Sequence, residues 1–260
     1  MLEITKEQLK NYRPLNNMVL IKPTLGQKEV KIGNMSFQLD TSYEEEIHAP
    51  VTGTVVAVPF SIFMARKGFP GMWWDVDMEI EVGDYAIYDY LQATTALDPA
   101  YAQAMTCDGD LYLLIPYEGI FVVRRKIPGN FEWENETTVW KDNTKGKILR
   151  DEIIPVNGYC LIEPIIDTPT NPFLKDLQQL RTNSTEKGIV RHVSKGLIRT
   201  YLDGDGKMDV DNVKVGQIVS FDRGADLPLE YPLHSTIEGK QMFYRMQRRY
   251  INGLITEVES

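Results

Sequence analysis

Residues Arg13–Pro23 read RPLNNMVLIKP, and the same pattern recurs at Ile154–Pro164 as IPVNGYCLIEP. In each copy a proline comes shortly before a polar pair, and the pair leads into a mostly apolar run that ends at a second proline. Apolar runs of this length between turn residues are typical of β-strands. We therefore expect the same turn and strand to occur twice.

Two further blocks recur in the same order along the chain. Thr52–Val58 (TGTVVAV) matches Lys187–Val193 (KGIVRHV), and Ile80–Asp89 (IEVGDYAIYD) matches Val213–Asp222 (VKVGQIVSFD). A repeat that keeps its order over three blocks indicates two similar domains. The separation of the copies shrinks along the chain, as loop insertions in the first copy would produce: 141 positions from Pro14 to Pro155, 135 from Gly53 to Gly188, and 133 from Gly83 to Gly216.

The remaining patterns also favour strands over helices. Leu111–Ile115 and Ile120–Val123 are short runs rich in β-branched and aromatic residues. Helical patterns are scarce: Lys6–Tyr12 suits a short N-terminal turn, and Pro172–Arg181 suits a helix. The sequence therefore predicts an all-β fold. We expect a first domain at residues 1–126, with a short N-terminal extension, a polar linker at 127–150, and a second domain at 151–260.

Composition narrows the possible functions. The 260 residues are 43% hydrophobic and carry a formal net charge of −9, which argues against a primary role in nucleic-acid binding. The first ten residues lack the apolar core of a signal peptide, and no apolar run approaches the length of a membrane span. Cys107 and Cys160 have no CxxC spacing, so we expect reduced thiols in a cytoplasmic protein.

The order of the three blocks resembles that of the GroES family of ten-kilodalton co-chaperonins. Tyr12–Lys22 fits the entry motif of the family, except that Met18 stands where the family usually has Arg or Lys. The later blocks are similar to the Gly-x-Val-x-x-Val and Val-Lys-Val-Gly-Asp-x-Val strands of the family, and a final strand pair matches Leu111–Val123 and Gln241–Ile255. The resemblance implies two tandem, partly open GroES-like β-barrels. It also implies a non-catalytic, oligomeric protein that caps a chaperonin ring.

The family docks through a mobile loop between the first two strand blocks, which in this chain spans Thr24–Glu46 and Ile165–Glu186. Neither region has the apolar tripeptide that follows a glycine in the family. In the first copy, apolar residues instead alternate around Gly33-Asn34, which predicts a β-hairpin. These segments either dock a partner or pack on their own domain. The candidate partner-binding residues are Val30, Ile32, Met35, Phe37 and Leu39 in the first copy and Phe173, Leu174 and Leu177 in the second.

A second loop of the family, the roof hairpin before the Val-Gly-Asp strand, corresponds to Pro59–Glu79 in the first copy. This segment is too apolar for a solvated loop, and exposed apolar patches mark interaction sites. It forms either a subunit or domain interface or a contact with a client protein. The interface candidates are Phe60, Phe63, Phe69, Trp73 and Trp74.

Catalytic and metal-binding patterns are missing from the sequence. There is no Gly-x-Gly-x-x-Gly, no P-loop and no Gly-x-Ser-x-Gly, and the three histidines are scattered. In Asp203–Asp211 and the residues that follow, Met208 and Lys214 stand where an EF-hand loop that starts at Asp203 requires Gly and Glu. We therefore expect no enzymatic activity, no cofactor and no metal. The alternative to a co-chaperonin is a structural or assembly subunit, for example of a virus particle, that reuses the same domains for protein contacts.

Overall fold

The computed structural model describes residues 2–25, 29–32, 35–38, 50–60, 62, 64–65, 73–74, 78–128, 139–142, 147–167, 182–194, 202–203, 206–207, 213–225, 227–229 and 243–255. Strands dominate these residues, which confirms the all-β class. Contacts divide the chain into two compact units. One comprises Met1–Met64 and Asp77–Arg125, and the other comprises Ala65–Val76 and Lys126–Ser260.

The chain up to Pro128 forms eleven strands and two helices within the described ranges. In chain order they are β1 (Leu2–Glu3), α1 (Lys6–Lys10), β2 (Met18–Pro23), β3 (Glu29–Ile32), β4 (Met35–Gln38), β5 (Thr52–Ala57), β6 (Met64–Ala65), β7 (Trp73–Trp74), β8 (Tyr85–Tyr88), α2 (Tyr90–Leu97), β9 (Ala104–Cys107), β10 (Asp110–Pro116) and β11 (Ile120–Pro128). Short 3-10 turns lie at Pro99–Tyr101 and Tyr117–Gly119.

The elements described after Pro128 are strands and one further 3-10 turn, Arg248–Tyr250. The strands are β12 (Val139–Asp142), β13 (Lys147–Pro155), β14 (Tyr159–Asp167), β15 (Thr182–Val193), β16 (Leu202–Asp203), β17 (Gly206–Lys207), β18 (Ile218–Phe221), β19 (Leu227–Leu229), β20 (Phe243–Gln247) and β21 (Ile251–Ile255).

The two units contain antiparallel sheets of the same strand order. In the first unit the order is β9-β10-β2-β5-β8-β11, and β1 adds a parallel strand beside β9. In the second unit the order is β19-β20-β14-β15-β18-β21. Each strand of one series has its counterpart at the same place in the other, so the repeat seen in the sequence is also a repeat of topology.

Even the irregularities of pairing are repeated. Between β2 and β5 the pairing passes from Leu20↔Ala57 to Ile21↔Val55, which leaves one residue of β5 unpaired. Between β14 and β15 it passes from Leu161↔His192 to Ile162↔Val190, with the same slip. Such bulges bend a strand and increase its twist. The two sheets therefore share a local bend as well as an order.

The polar pairs that precede β2 and β14 form matching turns. Asn16 and Asn17 have φ values of 53° and 60°, and Asn157 and Gly158 have values of 53° and 68°. Among residues with a side chain, Asn tolerates this left-handed region well, and glycine enters it freely. The polar pair is thus explained by backbone geometry.

Each unit has its own buried cluster around these strands. In the first unit the cluster is Ile4, Leu20, Met105, Cys107 and Tyr112. In the second it is Cys160, Ile162, Val190, Val219, Phe221, Tyr244 and Met246. Both cysteines are free and buried, so each acts as a small apolar core residue.

The helices agree only in part with the sequence. The segment expected to form a short N-terminal turn is the five-residue helix α1, where Thr5 and Gln8 form a reciprocal capping box. Helix α2 was not expected, although Asp89 caps it by accepting a hydrogen bond from the Leu91 N–H. The helix expected at Pro172–Arg181 lies outside the described residues.

Part of the expected linker is also strand. Strands β12 and β13 pair antiparallel, with Val139 opposite Arg150 and Asp142 opposite Lys147. In the described ranges, no helix is long and apolar enough to cross a membrane.

Candidate protein-docking sites

The predicted hairpin in the first docking region is confirmed. Strand β3 pairs with β4 so that Val30 lies opposite Phe37 and Ile32 lies opposite Met35. Alternate positions of a strand fall on the same face. The pairing therefore assigns these four candidate positions to one face of the ribbon, and the alternating polar positions to the other. Leu39 lies outside the described residues.

Hydroxyl groups join the two ends of the chain segment that contains this hairpin. The Thr24 N–H donates to the Thr52 carbonyl at 2.7 Å, which joins the end of β2 to the start of β5. The Tyr85 hydroxyl donates to Thr52 Oγ1 at 2.9 Å and accepts from Thr24 Oγ1 at 3.3 Å. The Tyr88 hydroxyl donates to the Thr52 carbonyl at 3.3 Å. The chain segment that contains the hairpin thus leaves and re-enters the sheet at a fixed point, Thr24 beside Thr52.

The second docking region is built differently. Strands β14 and β15 continue into the region expected to be a loop, with Ile166 opposite Asn183 and Asp167 opposite Thr182. Ser184 is buried within this extension and accepts a hydrogen bond from the Glu186 N–H. The docking region expected at Ile165–Glu186 is therefore in part an extension of the sheet. The candidates Phe173, Leu174 and Leu177 lie outside the described residues.

The first roof region opens with an exposed aromatic ring. Phe60 is 81% exposed, and the guanidinium carbon of Arg13 lies 3.9 Å from the centre of its ring. This is a cation–π arrangement in a solvent-exposed position. Trp73 and Trp74 form β7, which pairs with β6 in a separate two-stranded sheet. Phe63 and Phe69 lie outside the described residues.

A charged network holds the other end of this roof region. Asp84, which is only 2% exposed, accepts two hydrogen bonds from Arg125, from Nε at 2.8 Å and from Nη2 at 2.7 Å. The same guanidinium donates to the Glu81 carboxylate and to the Glu79 carbonyl, both at 2.7 Å. The Tyr117 hydroxyl donates to the Glu79 carboxylate at 2.8 Å. The segment that leads into β8 is thereby fixed to β11.

The equivalent place in the second unit is neutral. Gln217 stands where Asp84 stands, and its side chain accepts from the Lys214 N–H at 2.7 Å, as Asp84 accepts from the Glu81 N–H at 2.8 Å. The turn is therefore the same in both units, while the buried carboxylate is not. The sequence marks Asp84 only as a turn residue, because its cationic partner is 41 residues away.

Metal ligands do not cluster in the described part of the chain, where no group of three or more His, Cys, Asp or Glu side chains could hold an ion. The Asp-Gly segment considered as a metal loop pairs instead as β16 and β17, with Leu202 opposite Lys207. This is the hairpin that its composition predicts.

The chain matches no protein-family model, and no curated protein matches its sequence.

Proposed function

We propose that this protein is a non-catalytic, co-chaperonin-like binding protein that docks on a chaperonin ring and consists of two tandem, partly open GroES-like β-barrels. The observation that carries the proposal is the position of the β3–β4 hairpin. It is inserted between β2 and β5, two neighbouring strands of a sheet whose order is duplicated in the chain. The resemblance in sequence places the docking loop of the GroES family at this same connection.

The construction of the hairpin fits a docking role. The chain segment that contains it leaves and re-enters the sheet where Thr24, Thr52 and Tyr85 are hydrogen-bonded, and its apolar candidate positions share one face of the ribbon. A paired hairpin loses less conformational entropy on binding than a flexible loop does, because its backbone is already ordered. The expected mechanism is reversible docking of this face on an apolar groove of the chaperonin ring, without any chemical step in the chain itself.

A specific observation favours a second candidate, a structural subunit of a large protein assembly. Phe60 is 81% exposed at the start of a segment whose sequence is strongly apolar, and a contiguous apolar patch on this segment would mark an interaction site. Beyond a break in the β14–β15 pairing, Ile166 and Asp167 pair with Asn183 and Thr182, so part of one candidate docking region is sheet. Both features suit permanent contacts between subunits.

Size-exclusion chromatography with light scattering distinguishes the two candidates. The purified chain is run alone, with a chaperonin ring, and with the ring plus ATP, using the chaperonin of its natural host. The proposal predicts that the chain joins the chaperonin peak only when nucleotide is present. A chain that assembles with itself into particles and never joins the chaperonin peak would support the assembly subunit and contradict the co-chaperonin.

A further inference from the structure

The second unit has an open groove at a place that the first unit covers with its own helix. The groove has a volume of about 550 Å³ and lies where β14 begins and β20 ends. Its lining includes Tyr159, Arg223, Arg245, Met246, Gln247 and Tyr250. All of these residues belong to the second unit.

The pairing of strands fixes which residues of the first unit correspond to the groove. Met246 lies opposite Cys160, as Ile115 lies opposite Val19. The lining residues of β20 therefore correspond to the last residues of β10, Leu114–Pro116. A backbone hydrogen bond next to these residues is also the same in both units. The Asp222 N–H donates to the Tyr250 carbonyl at 2.9 Å in the second unit, and the Asp89 N–H donates to the Gly119 carbonyl at 2.9 Å in the first.

After this matched hydrogen bond the two chains diverge. Asp89 caps α2, which packs on β10 and buries Ala93 and Ala96. Gly119 lies beneath the helix, since a β-carbon on Gly119 would stand 2.5 Å from Cγ of Gln92.

The second unit has no helix directly after the corresponding aspartate, in the described residues 222–225. Asp222 instead begins a tight turn in which the Ala225 N–H donates to the Asp222 carbonyl and Gly224 has a φ of 88°. The chain then enters β19 at Leu227. Among the described residues of the second unit, none covers the surface that α2 covers in the first, and this surface forms the groove. Tyr250, at the position of Gly119, forms part of its wall.

The groove has the chemistry of a binding site for an acidic helix. Its lining carries the guanidinium groups of Arg223 and Arg245 and the carboxylate of Asp222. Asp222 already accepts a hydrogen bond from the Asn252 amide at 2.7 Å, and Arg223 forms an exposed ion pair with Glu186 at 3.2 Å, which a more acidic partner would compete with. Gln247 is 9% exposed, and its Oε1 atom is buried and accepts no hydrogen bond from any described residue. An unpaired buried acceptor is destabilising. The unpaired N–H groups of a helix N-terminus are suitable donors for it.

We propose that this groove binds a short, acidic helix of a partner protein, which presents small side chains to β20 as α2 presents Ala93 and Ala96 to β10. Helix α2 is itself a short helix with acidic ends, since it is about two turns long and is flanked by Asp89 and Asp98. The groove does not involve the β3–β4 hairpin. Its assignment is therefore independent of chaperonin binding.

The test uses the full chain and a fluorescent peptide with the sequence of residues 88–99, YDYLQATTALDP. A side-chain staple that replaces the residues at positions 91 and 95 holds the peptide helical and lies opposite its alanine face. Fluorescence anisotropy should show saturable binding to the wild-type chain. Ala225→Trp, which fills the groove, should weaken binding roughly tenfold or more. Val215→Trp is the matched control, because Val215 is 63% exposed and lies outside the groove lining.

Charge gives a second, independent readout. Arg223→Glu should weaken binding severalfold, whereas Lys214→Glu, an equal change of charge outside the groove lining, should not. A peptide with Asn in place of both aspartates should also bind more weakly. Absence of saturable binding, or equal binding by the Ala225→Trp and Val215→Trp variants, would overturn the proposal. So would displacement of the peptide by millimolar inorganic phosphate at constant ionic strength, which would assign the groove to a small anion.

Discussion

Gly188 lies so close to Glu163 across the β14–β15 pair that a β-carbon on Gly188 would stand 2.6 Å from the Glu163 carbonyl oxygen. The same relationship joins Gly53 to Lys22 in the first unit, where the corresponding distance is 2.5 Å. Each glycine lies opposite a proline, Pro164 in one case and Pro23 in the other. A glycine is required at both positions because backbone atoms, which cannot rotate away, occupy the space of a side chain.

Replacing either glycine with alanine should therefore destabilise its unit. We expect Gly53→Ala and Gly188→Ala each to lower the free energy of unfolding by about 1–3 kcal/mol, the usual range for overpacking. Urea denaturation measures the change. Gly253→Ala is the control, since its β-carbon would lie 3.3 Å from a movable hydroxyl of Ser220. Equal stability of Gly188→Ala and the wild type would show that the strands separate easily at this point.

The buried carboxylate of Asp84 gives a second prediction. Arg125→Ala leaves this carboxylate without its bidentate partner, and breaking a buried pair in this way costs about 3–5 kcal/mol of unfolding free energy. Denaturant unfolding, followed by a double-mutant cycle with Asp84→Ala, measures the coupling between the two residues.

The exposed pair of Lys22 and Asp110 is the matched control for this charge pair. Both side chains are about half exposed, so Lys22→Ala should destabilise the chain much less than Arg125→Ala. Equal effects of the two substitutions would contradict a special role for the buried pair.

The thiol of Cys160 should make stability depend on alkaline pH. Burial raises the pKa of Cys160 to about 11, against the opposing effect of the neighbouring Arg248 guanidinium. The thiol of an unfolded cysteine has a pKa of about 8.5. Above that pH the Cys160 thiol therefore keeps its proton in the folded state more often than in the unfolded state. The stability that the protonated Cys160 thiol contributes to the folded state is complete below about pH 8.5. It is lost as the pH rises towards 11, by roughly 1.4 kcal/mol of unfolding free energy per pH unit at most.

Thermal unfolding between about pH 8 and pH 11 tests this prediction against Cys160→Ala, which should show a flatter pH dependence. The same burial predicts that Cys160 in a Cys107→Ala background resists thiol reagents until the chain unfolds. Modification of the native protein at the rate of a free thiol would contradict the burial of this residue.

Much of the sheet could be predicted because its determinants are local. Turn pairs such as Asn16-Asn17, the glycine of each second block and the alternating apolar runs recur with the strands that they define. The Gly33-Asn34 signal likewise located the β3–β4 hairpin. These features follow from backbone geometry, which a few neighbouring residues determine.

The features that distinguish the two units were harder to predict. Helix α2 contains two threonines and no strong apolar stripe, and its formation depends on packing against β10. The Asp84–Arg125 contact joins residues that are far apart in sequence, and the groove beside Gln247 is lined by residues from separate segments, such as Tyr159 and Arg223. Such long-range relationships leave no periodic pattern in the chain.

The Phe37→Asp variant tests most directly whether the β3–β4 hairpin docks on a chaperonin. Ser36→Asp is the matched control, because it places the same charge on the neighbouring position of β4, which falls on the other face of the ribbon. Light scattering of the chaperonin complex with ATP measures binding, and thermal unfolding checks the fold. We expect Phe37→Asp to abolish the complex and leave the unfolding temperature unchanged, and Ser36→Asp to bind normally. Undiminished binding by Phe37→Asp, or unfolding of that variant, would contradict docking through the hairpin.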